Sequence, residues 1–136
     1  MKPVNRIVLD SSVVLAMILK EPGGKRLDDL LEQIESGGEM QAAISSVNWC
    51  EVLTKLHRDN DSMTGGELAA LLAGVELIAF DLEGADLAAG FARIDRSLSL
   101  GDRACLALAS IRKAKAWTTD KIWNRHKLPV AVEILR

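Results

Sequence analysis

The stretch that decides the fold is Leu98-Ser99-Leu100-Gly101-Asp102-Arg103-Ala104-Cys105-Leu106-Ala107-Leu108-Ala109. Ser99 and Asp102 have the spacing of a capping box, which predicts that a helix begins here and continues to about Lys113. At about 100° per residue, Asp102 shares a face of this helix with the apolar Cys105 and Leu106. A carboxylate on an apolar face must be paired or bound to a ligand. The segment therefore predicts a core helix that carries a functional acid.

Outward from this helix, short apolar runs alternate with helical stretches along the whole chain. Strands are predicted at residues 6–9, 42–44, 75–80, 114–118 and 129–135. Further helices are predicted at about residues 13–19, 25–34, 46–58, 68–73 and 82–96. Strands separated by helices predict an α/β fold, with a central parallel sheet of four to five short strands and helices on both faces. With 136 residues and no linker, we expect one domain over residues 1–136.

Composition excludes several classes of protein. No apolar run approaches the ~20 residues that a membrane span needs. The apolar stretch near the start contains Asp10 and is followed by no small-residue cleavage site, so a signal peptide is rejected. Two cysteines are too few for a disulfide framework, and we expect Cys50 and Cys105 to be buried, reduced thiols in a cytoplasmic protein. The isolated His57 and His126 are interpreted as surface or hydrogen-bonded side chains.

The net charge of −2 is unevenly distributed. Residues 101–136 hold 8 Lys and Arg against 3 Asp and Glu, whereas residues 1–100 are acidic. Two interpretations stay open: ordinary solvated helix faces, or a local basic surface that meets phosphates. The residues of that surface would be Arg112, Lys113, Lys115, Lys121, Arg125 and Lys127.

Acidic side chains follow three of the predicted strands. Asp10, Asp81 and Asp120 each come at a strand end, and ligands of open parallel sheets bind beyond the carboxyl ends of strands. Glu51 and Asp102 lie near helix starts that follow loops. Converging carboxylates repel one another unless a proton or a cation compensates them, and Mg²⁺ prefers such oxygen ligands. The pattern indicates a metal site suited to phosphodiester chemistry.

Each acid also has a structural interpretation. Asp10 has the position of a helix N-cap, Asp102 completes a capping box, and Asp120 has the position to begin a helical turn. The apolar face of the helix around Trp49 and Leu53 points away from Glu51, so periodicity alone predicts a solvent-facing Glu51. Spacing by itself leaves these alternatives open.

Four segments carry a resemblance to a known family. They are Ile7-Val8-Leu9-Asp10-Ser11-Ser12, then Ser46-Val47-Asn48-Trp49-Cys50-Glu51-Val52, then residues 98–109 as quoted above, and finally Trp117-Thr118-Thr119-Asp120-Lys121-Ile122-Trp123. In this order the chain resembles PIN-domain ribonucleases, and among them the VapC-like toxins of bacterial toxin–antitoxin pairs. The third segment is the most specific, and together the four cover nearly the whole chain.

The resemblance implies a site, a cofactor and partners. Asp10, Glu51, Asp102 and Asp120 would converge as a catalytic, metal-binding quartet, and the hydroxyl of Thr118 or Thr119 would support it. The cofactor would be Mg²⁺ or Mn²⁺, and the reaction would be hydrolysis of RNA, with tRNA or rRNA as substrate. A cognate antitoxin protein and a second copy of the chain in a homodimer are the implied partners. Asp81 has no matching role.

Three other functions are alternatives to a metal-dependent ribonuclease. A response-regulator receiver would need a second acid beside Asp10, where Ser11 stands, and a HAD-like phosphatase would need an acid at the position of Ser12. A catalytically silent PIN-like protein that binds RNA or acts as a scaffold is the main alternative. Cleavage of RNA that is lost with EDTA would distinguish the enzyme from this alternative.

Overall fold

A parallel five-stranded sheet of order β3-β2-β1-β4-β5 forms the centre of the protein. A computed structural model describes residues 5–125 and 128–136. Its elements are β1 (Arg6–Leu9), α1 (Ser11–Ile18), α2 (Gly24–Glu35), β2 (Gln41–Ser45), α3 (Ser46–Arg58), α4 (Gly65–Leu71), β3 (Val75–Ile78), α5 (Leu82–Phe91), α6 (Leu100–Arg112), β4 (Lys115–Thr118), a 3₁₀ helix (Lys121–Arg125) and β5 (Val132–Ile134). The predicted α/β class, with a parallel sheet, is confirmed.

The sheet separates two apolar cores, because successive side chains of a strand point to opposite faces. Ile7 and Leu9 of β1 pack with α1, α2, α3 and α4 on one face. Val8, between them, packs with α5 and α6 on the other face. Trp117 and Ala116 of β4 are divided between the two faces in the same way. Helices therefore cover both faces, as predicted.

Several elements are shorter than the sequence predicts, and strand pairing explains two of them. β3 ends at Ile78, not at Phe80, because its last paired residue is opposite Ser45, where β2 ends. β5 begins at Val132, not at residue 129, because it pairs only with residues 116–118 of β4. Helix α5 ends at Phe91, before the predicted residue 96.

Three of the smaller predictions can be compared with the structure. Both cysteines are free thiols, and Cys105 is buried. Cys50 is exposed, so its predicted burial is wrong: on α3 it lies beside Glu51 on the side that lines a cleft. His57 is hydrogen-bonded to the Met63 carbonyl at 2.8 Å, and His126 lies outside the described residues. In the described part of the chain, no helix has the length and apolar character needed to cross a bilayer.

Candidate active site

The order of the strands brings distant parts of the chain to one edge of the sheet. The central strand β1 lies between β2 and β4, so the chain leaves β1 towards one side and returns later on the other. Crevices at such switch points, beyond the carboxyl ends of the strands, are the usual ligand sites of open α/β sheets. Asp10 directly follows β1, and Thr118 ends β4 beside it.

Asp10 is a buried carboxylate fixed by two hydroxyl groups. It occupies the N-cap position of α1, but its side chain makes no capping hydrogen bond. Instead, Oδ2 accepts hydrogen bonds from Ser12 at 2.6 Å and from Thr118 at 2.9 Å. The carboxylate is therefore oriented by β4 and by the first turn of α1, and the N-cap interpretation does not describe its role.

The electrostatic surroundings of Asp10 favour its protonated form. Burial, followed by the charges of Asp102 and Glu51, raises the pKa of Asp10 from 3.8 to about 6, against the lowering effect of the two hydroxyl groups. Burial and the charges of the same three carboxylates also raise the pKa of the Cys105 thiol. Asp10, Glu51 and Asp102 thus act on one another across the same small region.

Glu51 is half-buried, in contrast to the solvent-facing position that periodicity predicts. Its Oε1 accepts hydrogen bonds from Ser11 at 2.9 Å and from the Asn48 amide at 3.0 Å. The start of α3 around Glu51 is partly covered because α3 packs against α1 and α6 as well as against the sheet, whereas Lys55 and Arg58 further along this face are exposed. The prediction from periodicity is wrong for this physical reason, and Glu51 lines the site.

Two residues that the sequence reasoning missed hold Glu51 in place. The buried Asn48 donates to Glu51 and to the Gly101 carbonyl at 3.0 Å, and so joins α3 to α6. A Cβ at position 101 would overlap the Glu51 carboxylate. A larger residue at position 101 would therefore displace the Glu51 carboxylate from Ser11 and Asn48. Asn48 had a readable signal, since residues three apart share a helix face.

Asp102 completes the predicted capping box and lies near enough to Asp10 for its charge to act on that residue. Its Oδ2 accepts from the Ser99 backbone N–H at 2.9 Å, and Ser99 Oγ accepts from the Asp102 N–H at 3.1 Å, so the predicted capping box is formed. Its charge also contributes to the raised pKa of Asp10. The helix start at Ser99 therefore fixes the position of the third carboxylate.

The residues after β4 divide between the site and the following turn. Thr118 Oγ1 donates to Asp10 and accepts from the Asp120 backbone N–H at 3.1 Å. Thr119 contributes its backbone N–H, which donates to Ser12 Oγ at 3.0 Å. Of the two threonine hydroxyl groups considered, that of Thr118 contacts the acidic site. The Asp120 carboxylate accepts from the Ile122 N–H at 2.9 Å, and so caps the 3₁₀ helix.

A cleft of about 810 Å³ opens beside Glu51, the one carboxylate of the four that lines it. Ser11, Glu51 and Gly101 lie at its acidic end, and it continues along α3 towards Arg58. The cleft thus reaches Glu51, whereas Asp10 lies buried behind it and does not line the cleft.

A comparison with protein-family profiles matches residues 7–128 to the PIN domain. The chain belongs to the PIN domain family. A sequence comparison with curated proteins finds no match for this PIN domain.

The fold of this PIN domain is also that of toxins in solved toxin–antitoxin structures. VapBC2 of Rickettsia felis, bound to a DNA fragment from its promoter, is 16% identical over 96% of this chain and 99% of that one, with a TM-score of 0.69. VapC20 of Mycobacterium tuberculosis, described as a sarcin–ricin loop cleaving toxin, is 19% identical over 88% and 93%, with a TM-score of 0.67. VapBC-5 of the same organism is 23% identical over 98% and 99%, with a TM-score of 0.56. The VapC-like fold suggested by the resemblance is confirmed.

The donor set of this PIN domain fits a hard divalent cation by its chemistry. The charges of Glu51 and Asp102 raise the pKa of the buried Asp10 carboxyl, and a cation would stabilise such a group of acids. Within residues 5–125 and 128–136, however, no three His, Cys, Asp or Glu side chains lie close enough to hold one ion together. Asp102 and Asp120 each use an oxygen as a helix cap. To share an ion, these carboxylates would turn towards Asp10.

The residues of the predicted basic surface lie at opposite ends of strand β4. Arg112 and Lys115 lie before or at the start of β4, and they form ion pairs with Glu76 at 2.9 Å and Glu133 at 3.4 Å. Lys121 follows the carboxyl end of β4, the same end of the sheet as Asp10. The Arg125 side chain and Lys127 lie outside the described part. The described cations of this group do not form one continuous surface.

Proposed function

We propose that this PIN domain is a metal-dependent ribonuclease that hydrolyses RNA phosphodiester bonds and acts as the toxin of a toxin–antitoxin pair. The observation that carries the proposal is the buried Asp10 carboxylate, whose pKa is raised to about 6 beside Glu51 and Asp102 at the carboxyl edge of the sheet. A fold must compensate such a cluster. A divalent cation is the compensation that also serves phosphodiester hydrolysis.

The site residues have distinct proposed roles. Asp10, Glu51, Asp102 and Asp120 would hold Mg²⁺ or Mn²⁺. When bound, the ion would lower the pKa of a water molecule and place positive charge near the phosphate. Ser12 and Thr118 orient Asp10 through their hydroxyl groups.

The solved neighbours support proposals about partners. Several of them are toxin–antitoxin complexes, including VapBC2 of Rickettsia felis. We infer that this chain binds a cognate antitoxin, forms a homodimer and acts in the cytoplasm. VapC20 is described as cleaving the sarcin–ricin loop, which supports structured RNA, either rRNA or tRNA, as substrate here. Co-expression with the product of the adjacent short reading frame, followed by a pull-down, tests the antitoxin proposal, and recovery of no such partner counts against it.

The central experiment measures cleavage of total RNA by the purified protein with Mn²⁺ and with excess EDTA. Cleavage that requires the metal and is lost in Asp10→Asn supports the enzyme. Equal cleavage by wild type and Asp10→Asn would show that a contaminant or another site is responsible.

The second candidate function is a catalytically silent RNA-binding protein or scaffold. One observation favours it: the carboxylates of Asp102 and Asp120 are both engaged as helix caps. Binding of RNA without cleavage, in either Mg²⁺ or Mn²⁺, would identify this function.

A further inference from the structure

The cleft beside the acids changes the sign of its charge along helix α3. Glu51, Lys55 and Arg58 all line it. Their spacing of four and three residues places them on one face of the helix. With a rise of about 1.5 Å per residue, Lys55 lies about 6 Å and Arg58 about 10 Å from Glu51 along the helix axis. The cleft therefore leads from the Glu51 carboxylate to two cations.

Apolar side chains, one of them aromatic, also line the cleft. Leu15 of α1, Leu100 of α6 and Phe80 line it. The backbone N–H of Phe80 donates to Ser46 Oγ at 3.0 Å, which fixes the segment after β3 against the start of α3. Phe80 is half-buried, so part of its ring is available for a planar ligand group.

The cations of the cleft are available to a ligand. Lys55 forms an ion pair with Asp59 at 3.2 Å, but both side chains are about half exposed, and such pairs are weak. No ion pair of Arg58 is found within residues 5–125 and 128–136. A negatively charged ligand would therefore gain these two charges at little cost.

We propose that Lys55 and Arg58 bind backbone phosphates of a single-stranded RNA segment, on the nucleotides next to the bond that is cut, while one base stacks on Phe80. This inference rests on the proposed function, because it needs the scissile phosphate at the acidic end. An RNA strand carries a phosphate at every nucleotide, so a strand held at Glu51 must place further phosphates along α3. The bases of a single strand are free to stack on an aromatic side chain, whereas those of a duplex are not.

Kinetics on a fluorescent single-stranded oligoribonucleotide test the two cations. Arg58→Gln and Lys55→Gln should each raise KM about fivefold to tenfold with kcat changed less than about twofold. Each should also reduce, by about one, the slope of the logarithm of the RNA binding constant against the logarithm of the salt concentration. Lys25→Gln is the matched control, because Lys25 also pairs with an acid four residues later but is not among the residues that line the cleft. Unchanged KM and salt slope in both cleft variants would overturn the proposal.

Binding measured without cleavage separates this proposal from the nuclease assignment. In an Asp10→Asn background with EDTA, fluorescence anisotropy should show weaker binding of single-stranded RNA after Arg58→Gln. Phe80→Leu, which keeps an apolar side chain, should weaken binding about fivefold. Both variants could weaken RNA binding although the wild type cleaves no RNA with any metal. In that case the nuclease assignment is wrong, and the proposed phosphate site is supported.

Two further outcomes would overturn the phosphate site alone. A duplex that competes as well as a single strand would exclude the proposed mode of binding. If the variants lose the partner protein but keep the affinity for RNA, the cleft binds an acidic protein segment and not the substrate.

Discussion

Two helices of this protein begin with the same local structure and serve different ends. In α4, Thr64 Oγ1 accepts from the Glu67 N–H at 3.1 Å and Glu67 accepts from the Thr64 N–H at 3.1 Å. In α6, Ser99 and Asp102 form the same pair of bonds at 3.1 and 2.9 Å. Both boxes are exposed at the surface. The second also lies near enough to the candidate site for the charge of Asp102 to raise the pKa of Asp10.

The comparison shows that one residue can complete a capping motif and also belong to the candidate site. The box satisfies backbone groups that any helix start leaves free, and it does so identically in both places. What differs is the neighbourhood, since only the box of α6 begins at the carboxyl edge of the sheet. Function is therefore decided by contacts from distant parts of the chain, and the predictions below separate the two boxes.

The largest expected difference is in activity. Asp102→Asn should reduce metal-dependent RNA cleavage at least about a hundredfold, because a carboxylate of the proposed metal site is removed. Glu67→Gln, the same change in the other box, should leave cleavage unchanged. Both variants keep an oxygen that accepts the capping bond, so their urea midpoints should remain near that of the wild type. Wild-type cleavage by Asp102→Asn would refute the assignment of this acid.

Asp10, the buried acid near the box of α6, should also make the unfolding free energy depend on pH. The pKa of Asp10 is raised to about 6, so between about pH 4 and pH 6 the native state keeps a proton that the unfolded state releases. Stability from this group is therefore lost as pH rises through that window. Asp10→Asn should match the wild type near pH 4 and exceed it by up to about 3 kcal/mol above pH 6.

Urea unfolding of both proteins at pH 4 and pH 7.5 measures this effect. Mg²⁺ should raise the unfolding free energy of the wild type at pH 7.5 and leave that of Asp10→Asn nearly unchanged. A stability difference between the two proteins that is the same at both pH values would contradict the raised pKa.

A smaller difference is expected at the second helical residue of each box. Gly101→Ala would place a Cβ against the Glu51 carboxylate. The end of that side chain can turn aside and lose its hydrogen bonds to Ser11 and Asn48, so we expect reduced cleavage together with a loss of about 1 kcal/mol in unfolding free energy. Gly66 has only the Thr64 hydroxyl near its Cβ position, at 3.9 Å. Gly66→Ala should therefore stabilise the protein by about 0.4–1 kcal/mol. Equal effects of the two substitutions would mean that Glu51 does not require the glycine.

The smallest difference is expected at the N-caps themselves. Ser99→Ala and Thr64→Ala each remove one capping oxygen, and each should cost about 1 kcal/mol of unfolding free energy. Only Ser99→Ala should also lower the activity, because it frees the first turn that carries Asp102. Chemical denaturation and cleavage rates of the two variants, measured side by side, check this expectation.

The sheet and both cores were predictable because they depend on short-range patterns. The alternation of apolar runs and helical stretches predicted five strands, and the three-residue spacing of Ser99 and Asp102 predicted the start of α6. Strand ends were less accurate. β3 ends where its partner β2 ends, and a partner cannot be read from the strand's own residues.

The position of a site residue could be predicted only where its neighbours in the sequence indicate it. Asp10 stood out because it follows a strand. Glu51 was misplaced by periodicity, because the second buried side of α3 is created by α6, and the Asn48–Gly101 hydrogen bond that joins the two helices spans 53 residues. The need for glycine at position 101 is likewise set by Glu51 and leaves no trace in the neighbouring residues.

The hydrogen bond from Thr118 to Asp10 spans 108 residues, and it has a consequence for the order in which the protein is made. The segments that form β1, β2 and α3 are synthesised first, so Asp10 and Glu51 leave the ribosome long before β4 can pair with β1. Domains fold as units during synthesis, and a nascent chain that ends before β4 lacks the hydroxyl that orients its first acid. The candidate site is therefore among the last features that the growing polypeptide completes.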